Sequence, residues 1–324
     1  MLFRSEWGGH EFFINGGHSF GRLISADVYF KDHPEWFSEI GGKRIPDGQL
    51  CLSNKEMRKE MIKNVLATVA AFPDARIVDV SQNDNYSYCQ CPECTALAAK
   101  YGGQSGLLMD FINEITAEVH KQYPDHLVQT FAYQYTRFAP KDIAPADNVV
   151  IRLCSIENDN SKPLTSPTNA DFYNALNEWS RISKRMFIWD YAANFSNYHI
   201  PHPNTQVLAK NIKLYVKAGA IGMFEQGDMY NNTVCLSELR NWVTSKLLWD
   251  STLDGDKLMN EFMTAYYGKA ADAMKGILNV YTDSVLRANY RLICYQKSNP
   301  YFTANDYIEA FKLFDKALSL AGSE

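Results

Sequence analysis

Carboxylate side chains stand shortly after several apolar, β-branched runs of this 324-residue chain, as Asp84, Glu157 and Glu225 do. The carboxyl ends of parallel strands lie on one face of a sheet, so these side chains can converge although they are far apart in sequence. Convergent carboxylates suit glycoside hydrolysis, in which one acid protonates the leaving oxygen while a second attacks, activates water or stabilises the positive charge. We predict Glu157 as the general acid, Asp84 as the polarising or stabilising carboxylate, and Glu225 as the alternate for either role.

Aromatic and amide side chains occupy the same predicted strand ends. Flat amphipathic rings suit the apolar faces of sugars, which are edged with hydroxyl groups. Where a substrate carries a 2-acetamido group, that amide can itself be the nucleophile, and a protein carboxylate then orients and polarises it. We predict as substrate contacts Asn83, Tyr133, Trp189, Asp190, Tyr191, Asn194, His202 and Tyr230.

Structural interpretations of these residues stay open alongside the functional ones. Asp84 could close its own loop as an Asx turn. Asp190 lies inside a strand pattern, where a buried acid paired to a neighbouring strand is an equal alternative. Asp228 is interpreted as a loop residue. For His202, on a proline-punctuated loop, packing is the favoured interpretation.

Seven cysteines are present, and an odd number in a chain of this length does not indicate a disulfide framework. Cys89, Cys91 and Cys94 form a C-x-C-x-x-C group that could supply three thiolates to zinc. No second C-x-x-C or H-x-x-x-H completes a tetrahedral site. We therefore predict no metal, and interpret the three cysteines as packing residues or a local disulfide.

Helical and strand patterns alternate along the chain before a helical C-terminal region. Periodicity predicts strands at 76–81, 127–133, 148–155, 185–191 and 220–225, with a sixth at 12–15 or 21–24. It predicts helices at 54–71, 106–122, 170–182, 204–218, 239–249, 255–267, 270–295 and 304–320.

This order predicts an α/β fold, a (β/α)8 TIM-type barrel with a C-terminal all-helical extension. The expected division is a barrel domain at 1–236 and a helical region at 237–324. A barrel needs eight strands, so we expect it to be incomplete on its N-terminal side, unless early strands escape recognition. An open doubly wound sheet is the competing architecture, but no glycine-rich phosphate fingerprint follows any strand.

The bulk properties exclude several functional classes. A net charge of −5 and a pI near 5.8 show no excess of positive charge that would favour binding of nucleic acid. No apolar run approaches the length that spans a bilayer. No G-x-S-x-G, H-E-x-x-H or P-loop is present, so serine hydrolase, zinc protease and NTPase activities have no motif support. The predicted chemistry requires no cofactor.

Several separate motifs, in order along nearly the whole chain, resemble a bacterial family first catalogued as a domain of unknown function, which later founded glycoside hydrolase family 163. The motifs are Gly16-Gly-His-Ser-Phe-Gly, Tyr29-Phe-Lys-Asp-His-Pro-Glu-Trp-Phe, Gly42-Lys-Arg, Leu50-Cys-Leu-Ser-Asn, Ser81-Gln-Asn-Asp with the three cysteines, Ile188-Trp-Asp-Tyr, and Asn241-Trp…Trp249-Asp. The resemblance implies a TIM-barrel endo-β-N-acetylglucosaminidase that cuts the chitobiose core of N-glycans. It also implies export to the cell surface or periplasm of a glycan-foraging bacterium.

We therefore expect a glycoside hydrolase whose substrate is an oligosaccharide or glycoprotein glycan containing β-linked N-acetylglucosamine. Retention through the substrate's own acetamido group is the expected mechanism. The alternatives are a non-catalytic carbohydrate-binding protein on a degenerate barrel and a glycosidase of different sugar specificity.

Overall fold

The computed structural model of the protein describes residues 13–227 and 235–321, which fold as two compact units. One unit comprises the described residues up to Cys154 together with Asn177–Phe187. The other comprises Ser155–Leu176 and the described residues from Ile188 onward. The domain boundary that the sequence predicts between residues 236 and 237 stays a prediction.

Short strands alternate with longer helices. The strands are β1 (Phe13–Ile14), β2 (Glu39–Ile40), β3 (Lys43–Arg44), β4 (Ile77–Asp79), β5 (Leu127–Ala132), β6 (Val149–Cys154), β7 (Met186–Tyr191) and β8 (Ala220–Gln226). The helices are α1 (Phe20–Leu23), α2 (Ala26–Tyr29), α3 (Lys55–Ala71), α4 (Pro92–Lys100), α5 (Gln104–Gln122), α6 (Ala170–Ile182), α7 (Thr205–Lys217), α8 (Ser237–Trp249), α9 (Gly255–Tyr267), α10 (Ala271–Arg287) and α11 (Ala304–Ala321).

Six strands form one sheet in the order β1-β4-β5-β6-β7-β8, and β2 pairs with β3 as an antiparallel ribbon. The first four run parallel, with Phe13 opposite Ile77, Ile77 opposite Leu127, and Val128 opposite Val149. Their apolar, β-branched side chains are buried throughout β4 and β6, as strands covered on both faces require. The chain is thus an α/β protein with a helical C-terminal region. Eight-stranded closure is not found within the ranges given above.

The helices of the first unit are fixed by caps and by one arginine. Asn54 caps α3 by accepting a hydrogen bond from the Met57 N–H at 2.9 Å. From α3, the buried Arg58 guanidinium reaches Asp110 at 2.7 Å and Glu114 at 2.6 Å, both on α5. These contacts hold α3 against α5.

In the second unit, α7, α8 and α9 share an apolar core that includes Ile212, Leu239, Val243 and Phe262. The next helix, α10, ends earlier than predicted, at Arg287 instead of 295. Asn289 adopts a left-handed φ of 46°, and the Tyr290 N–H bonds back to the Val285 carbonyl at 3.1 Å, which is a Schellman stop.

The five strands and the other long helices predicted from the sequence are confirmed to within two residues at each end. Of the two candidates for a sixth strand, 12–15 holds β1 and 21–24 is wrong, because that segment lies mostly in α1. Sequence analysis missed α4, which begins at Pro92 directly after the cysteine motif. No helix in the described ranges is both long and apolar enough to cross a membrane.

Candidate functional site

The first unit holds Asp84 at the carboxyl end of β4, exposed to solvent. One carboxylate oxygen accepts hydrogen bonds from the Tyr133 hydroxyl at 3.0 Å and from the Gln134 side-chain amide at 3.3 Å. Gln134, directly after β5 and Tyr133, has a left-handed φ of 51°, a conformation that costs free energy in a residue other than glycine. The structure therefore brings together Asp84 and Tyr133, as the sequence predicted.

The loop that carries Asp84 is fixed by its neighbours. The Asn83 side chain accepts from the Gly21 N–H at 3.0 Å and donates to the Gly48 carbonyl at 3.0 Å. Asn85 closes an Asx turn by accepting from the Ser87 N–H at 2.9 Å. The Asx role considered for Asp84 is thus filled by Asn85. Both polar atoms of the Asn83 carboxamide bind backbone groups, so Asn83 positions the loop, and its contact with substrate stays a prediction.

His18 also lies at this end of the first unit, and sequence analysis did not single it out. It follows β1 and has a φ of 50°, continuing a run of positive φ through Asn15, Gly16 and Gly17. Its Nδ1 lies 2.7 Å from the Gln82 carbonyl oxygen, which can only accept, so Nδ1 carries the proton. Its ring contacts Tyr133 with a centroid distance of 5.9 Å. The paired glycines in front of it were the available signal, since strained backbone concentrates at functional sites.

We call His18, Asp84, Tyr133 and Gln134 the strand-end cluster. It stands beside a buried polar group, in which Asp79 accepts from the Ser81 hydroxyl at 2.6 Å and the Gln129 amide at 2.8 Å. Burial raises the pKa of Asp79, and the nearby Arg152 guanidinium acts in the opposite direction. These contacts fix the ends of β4 and β5, from which the cluster projects.

In the second unit, Glu157 lies in the turn after β6 and is half-buried. Its carbonyl oxygen accepts from the Arg291 guanidinium. Burial raises the pKa of the neighbouring Cys294 thiol to about 12, with added effects of the Asp190 and Glu157 carboxylates. Glu157 therefore lies in the turn after β6, and its carboxylate and that of Asp190 both act on the Cys294 thiol.

Asp190 is buried, and it accepts from the Ser155 hydroxyl and from the Tyr191 N–H. Burial raises its pKa, and hydrogen bonds from Ser155, Tyr191 and the Tyr215 hydroxyl of α7 act in the opposite direction. These contacts favour the structural interpretation of Asp190 over a substrate contact.

Glu225, at the end of β8, carries a buried carboxyl group. Within the described ranges, neither of its oxygens has a hydrogen-bond partner. Burial raises its pKa well above the ordinary value, and the Asp190 charge raises it further, whereas Arg240 of α8 lowers it. A neutral carboxylic acid is what a general acid requires, so this environment supports the alternate role predicted for Glu225.

An aromatic surface is formed at the ends of β7 and β8. The half-buried Trp189 donates from its indole N–H to the Gln226 side chain at 2.8 Å. Its ring contacts Phe224 at 5.0 Å and Tyr191 at 6.2 Å, the latter nearly parallel at 17°. Trp189 has a partly exposed ring of the kind that can carry the apolar face of a sugar, whereas Tyr191 is buried. Their roles as substrate contacts stay predictions.

The remaining predicted contacts have other surroundings. Asn194 is buried and donates to the Gln296 carbonyl at 2.8 Å, which ties the loop after β7 to the segment before α11. Burial lowers the pKa of His202 to about 3, and its Nε2 lies 3.2 Å from the Asn160 amide, so this neutral ring packs the loop. Tyr230 and Asp228 lie outside the described residues.

Glu225 makes the stability of the protein depend on pH in a testable way. Because its pKa is raised, Glu225 keeps a proton in the folded protein that the unfolded chain releases above about pH 4.3. The contribution of Glu225 to the free energy of unfolding is therefore fully present below that pH and declines as pH rises. Glu225→Gln should remove the decline, so that the variant gains up to ~1.4 kcal/mol per pH unit over the wild type. Urea unfolding at several pH values measures this difference. Glu261→Gln, at an exposed position, is the control. A difference in the free energy of unfolding between Glu225→Gln and the wild type that does not change with pH would contradict the expectation.

The cysteine motif lies in the first unit, where a fourth cysteine joins it. The sulfurs of Cys51, Cys89, Cys91 and Cys94 all lie within 4.8 Å of one another, and all four residues are buried. None of the cysteines is disulfide-bonded. The sequence-based argument that no fourth ligand exists is therefore wrong, and so is the expectation of a local disulfide. Cys51 lies 40 residues before Cys91, outside any recognisable spacing.

The elements described above define an α/β protein with a helical C-terminal region. Residues 5–279 match the model of the family described as "Domain of unknown function (DUF4838)", and the chain belongs to that family. No curated protein matches the sequence.

Two solved structures show a weak likeness. Dihydrodipicolinate synthase from Oceanobacillus iheyensis is similar over 81% of this chain and 70% of its own, with 11% identity and a TM-score of 0.29. A GH138 enzyme targeting pectin rhamnogalacturonan II is similar over 72% of this chain and 35% of its own, with 12% identity and a TM-score of 0.23. Likeness at this level carries no argument about the activity of this chain.

Proposed function

We propose that this protein is a glycoside hydrolase that cleaves β-linked N-acetylglucosamine in glycans. The observation that carries the proposal is the exposed Asp84 carboxylate, held by the Tyr133 hydroxyl and the Gln134 amide at adjacent strand ends. A carboxylate oriented by two donors is prepared to orient another polar group in turn. In a 2-acetamido sugar, that group is the acetamido N–H.

The proposed reaction proceeds in two steps. The acetamido oxygen attacks the anomeric carbon, the glycosidic bond breaks, and an acid transfers its proton to the departing oxygen. Asp84 stabilises the positive charge on the resulting oxazolinium ring. Water then attacks the anomeric carbon from the opposite face while the deprotonated acid takes a proton from it. The ring carbon–oxygen bond breaks, which returns the neutral acetamido group, restores the acid and leaves the configuration retained.

Glu157 or Glu225 supplies the proton in this proposal. Glu157 is the first candidate because it follows an apolar strand, and it lies in the turn after β6. The raised pKa of Glu225 favours it on chemical grounds, because burial lets this carboxyl group keep its proton to a higher pH than an exposed glutamate would. Trp189 is proposed to stack on a sugar ring. The N-glycan core as substrate, and export to the cell surface or periplasm, are further parts of the proposal.

The decisive experiment incubates the protein with a complex N-glycoprotein and follows glycan release by mass spectrometry. Wild-type protein is expected to release glycans that retain one N-acetylglucosamine at the reducing end. A thiazoline derived from N-acetylglucosamine, which mimics the oxazoline, should inhibit release if the acetamido group is the nucleophile.

Glu157→Gln and Glu225→Gln distinguish the two candidate acids, since only the true donor should lose activity on substrates whose leaving group needs a proton. That variant should still cleave a substrate whose leaving group is an acidic phenol, because such a group departs without receiving a proton. Binding of the glycan by wild-type protein without any release would reject the hydrolase proposal in favour of a carbohydrate-binding protein.

A further inference from the structure

Cys51, Cys89, Cys91 and Cys94 (the four-cysteine cluster) have sulfur positions that match a mononuclear metal site. The Cys51 sulfur lies 3.7 Å from that of Cys91 and 3.8 Å from that of Cys94. Four sulfurs bound tetrahedrally to zinc at about 2.3 Å lie about 3.8 Å from one another. Since all four sulfurs fall within 4.8 Å, they surround a volume that suits one ion, not a multi-iron cluster whose cysteines bind different irons.

The backbone around the cluster donates to the sulfurs as it would to thiolates. The Cys94 N–H points at the Cys91 sulfur at 3.5 Å, in the first turn of α4, and the Glu39 N–H points at the Cys89 sulfur at 3.3 Å. The N-terminus of α4 adds a favourable dipole for negative charge. Such donors orient metal ligands from outside the coordination sphere.

Charge compensation is also present. Zinc with four thiolates carries a net charge of −2, which needs positive neighbours in a buried place. Arg44, from the β2–β3 ribbon, places a guanidinium nitrogen 3.6 Å from the Cys89 sulfur. The Ser53 hydroxyl lies 3.1 Å from the Cys94 sulfur and can donate to it. Arg44 also pairs with Glu39 at 3.2 Å and donates to the Phe37 carbonyl at 2.8 Å, and these contacts hold its guanidinium in place beside the sulfur.

We propose that the four-cysteine cluster binds one zinc ion, which joins the segment before α3 to the start of α4. All four ligand positions are filled by protein sulfurs, so the site is structural, with no open position for a substrate. The proposal does not depend on the proposed glycosidase activity.

The ion would also stabilise the loop that carries Asp84. Gln49, two residues before Cys51, donates to the carbonyl oxygens of Asn83 and Asn85 at 2.8 Å each. It accepts from the Asn83 N–H at 2.9 Å. Zinc bound to Cys51 and Cys89 would hold the two segments that these hydrogen bonds join, one carrying Gln49 and the other carrying Asn83 and Asn85. The metal would thus keep the loop that carries Asp84 in the geometry described above.

Elemental analysis of protein produced in zinc-containing medium tests the proposal directly. We expect about one zinc per chain, and four sulfurs at about 2.3 Å in the zinc X-ray absorption spectrum. Cobalt substituted for zinc should give the visible absorption of tetrahedral thiolate ligation. Folded wild-type protein without stoichiometric metal, or with disulfides among these four cysteines by mass spectrometry, would overturn the proposal. Stoichiometric iron in place of zinc would overturn the identity of the ion.

Variants extend the test and keep it independent of misfolding. Cys91→Ser should lose most of the zinc, whereas Cys91→His, which keeps a zinc ligand, should retain a larger share. Cys235→Ser, outside the cluster, is the matched control and should keep about one zinc. Removing zinc from the wild type with a chelator should lower its melting temperature and speed amide hydrogen exchange at 48–53 and 83–91. Zinc retained in a folded Cys51→Ser, Cys89→Ser double variant would place the metal elsewhere and contradict the proposal.

Discussion

Asp84→Asn is expected to reduce glycan hydrolysis by about 10²- to 10⁴-fold, the range for a carboxylate that acts directly on the reacting group. The amide has nearly the same shape and can still accept from the Tyr133 hydroxyl, so the loop should keep its position. What disappears is the negative charge that stabilises the oxazolinium ring in the proposed reaction. Steady-state kinetics on a defined N-glycan should therefore show the loss in kcat, with KM little changed.

Two further variants separate this role from general effects of charge and packing. Asp47→Asn removes an exposed carboxylate from the neighbouring loop and should leave hydrolysis unchanged. Tyr133→Phe removes one of the two donors that hold Asp84, so we expect a smaller loss than for Asp84→Asn. If Asp84→Asn retains the wild-type kcat on a protein that does cleave glycans, Asp84 is not the polarising carboxylate and the activity belongs to other residues.

Local patterns predicted the elements of this fold well. The segment 170–182 was predicted as a helix from its periodicity and is α6, and 255–267 is α9, because each buries a stripe of apolar side chains at helical spacing. The helix α4 escaped notice because its one-turn apolar pattern is short and begins inside the cysteine motif. Closure of the sheet depends on pairing between distant strands, which no local pattern records.

Strand geometry could have refined the candidate site. Neighbouring residues of a strand point to opposite faces, so Trp189 and Asp190 could not both face one substrate. The structure places Trp189 beside Gln226 and Asp190 beside Ser155 and Tyr215. The alternation was visible in the sequence. The sequence does not show which of the two faces packs against the helices, because that depends on where α7 lies.

Other features needed the folded chain. Cys51 and Cys91 are 40 residues apart, and only the packing of the segment before α3 against α4 brings their sulfurs together. His18 lies in the motif Gly16-Gly-His-Ser-Phe-Gly. The proton on its Nδ1 is fixed by the Gln82 carbonyl, 64 residues away in the sequence. Contacts of this range are specified by tertiary structure, which residue spacing does not reveal.

Arg152→Met is expected to destabilise the protein by up to about 3 kcal/mol, because it takes a positive charge from the surroundings of the fully buried Asp79. Methionine fills much of the arginine volume, so the loss would come from charge more than from a cavity. The Ser81 and Gln129 side chains would still donate to Asp79, but hydrogen bonds alone do not offset the burial of a carboxylate. Urea unfolding near neutral pH measures the loss, and the exposed Arg181→Met should change stability by no more than about 0.5 kcal/mol.

A double-mutant cycle tests whether charge is the cause. Asp79→Asn combined with Arg152→Met leaves no buried charge at this position, so the double variant should lose less free energy of unfolding than the two single losses added together. The sign of the pH dependence gives a second test. Burial raises the pKa of Asp79, and without the arginine this pKa should rise further. The free energy of unfolding that Arg152→Met loses relative to the wild type should therefore shrink as pH falls toward about 4, because the Asp79 carboxyl group then becomes neutral in both folded proteins. Additive single losses that do not vary with pH would mean that Arg152 contributes through packing on the Phe13 ring, 4.9 Å from its guanidinium carbon, and not through Asp79.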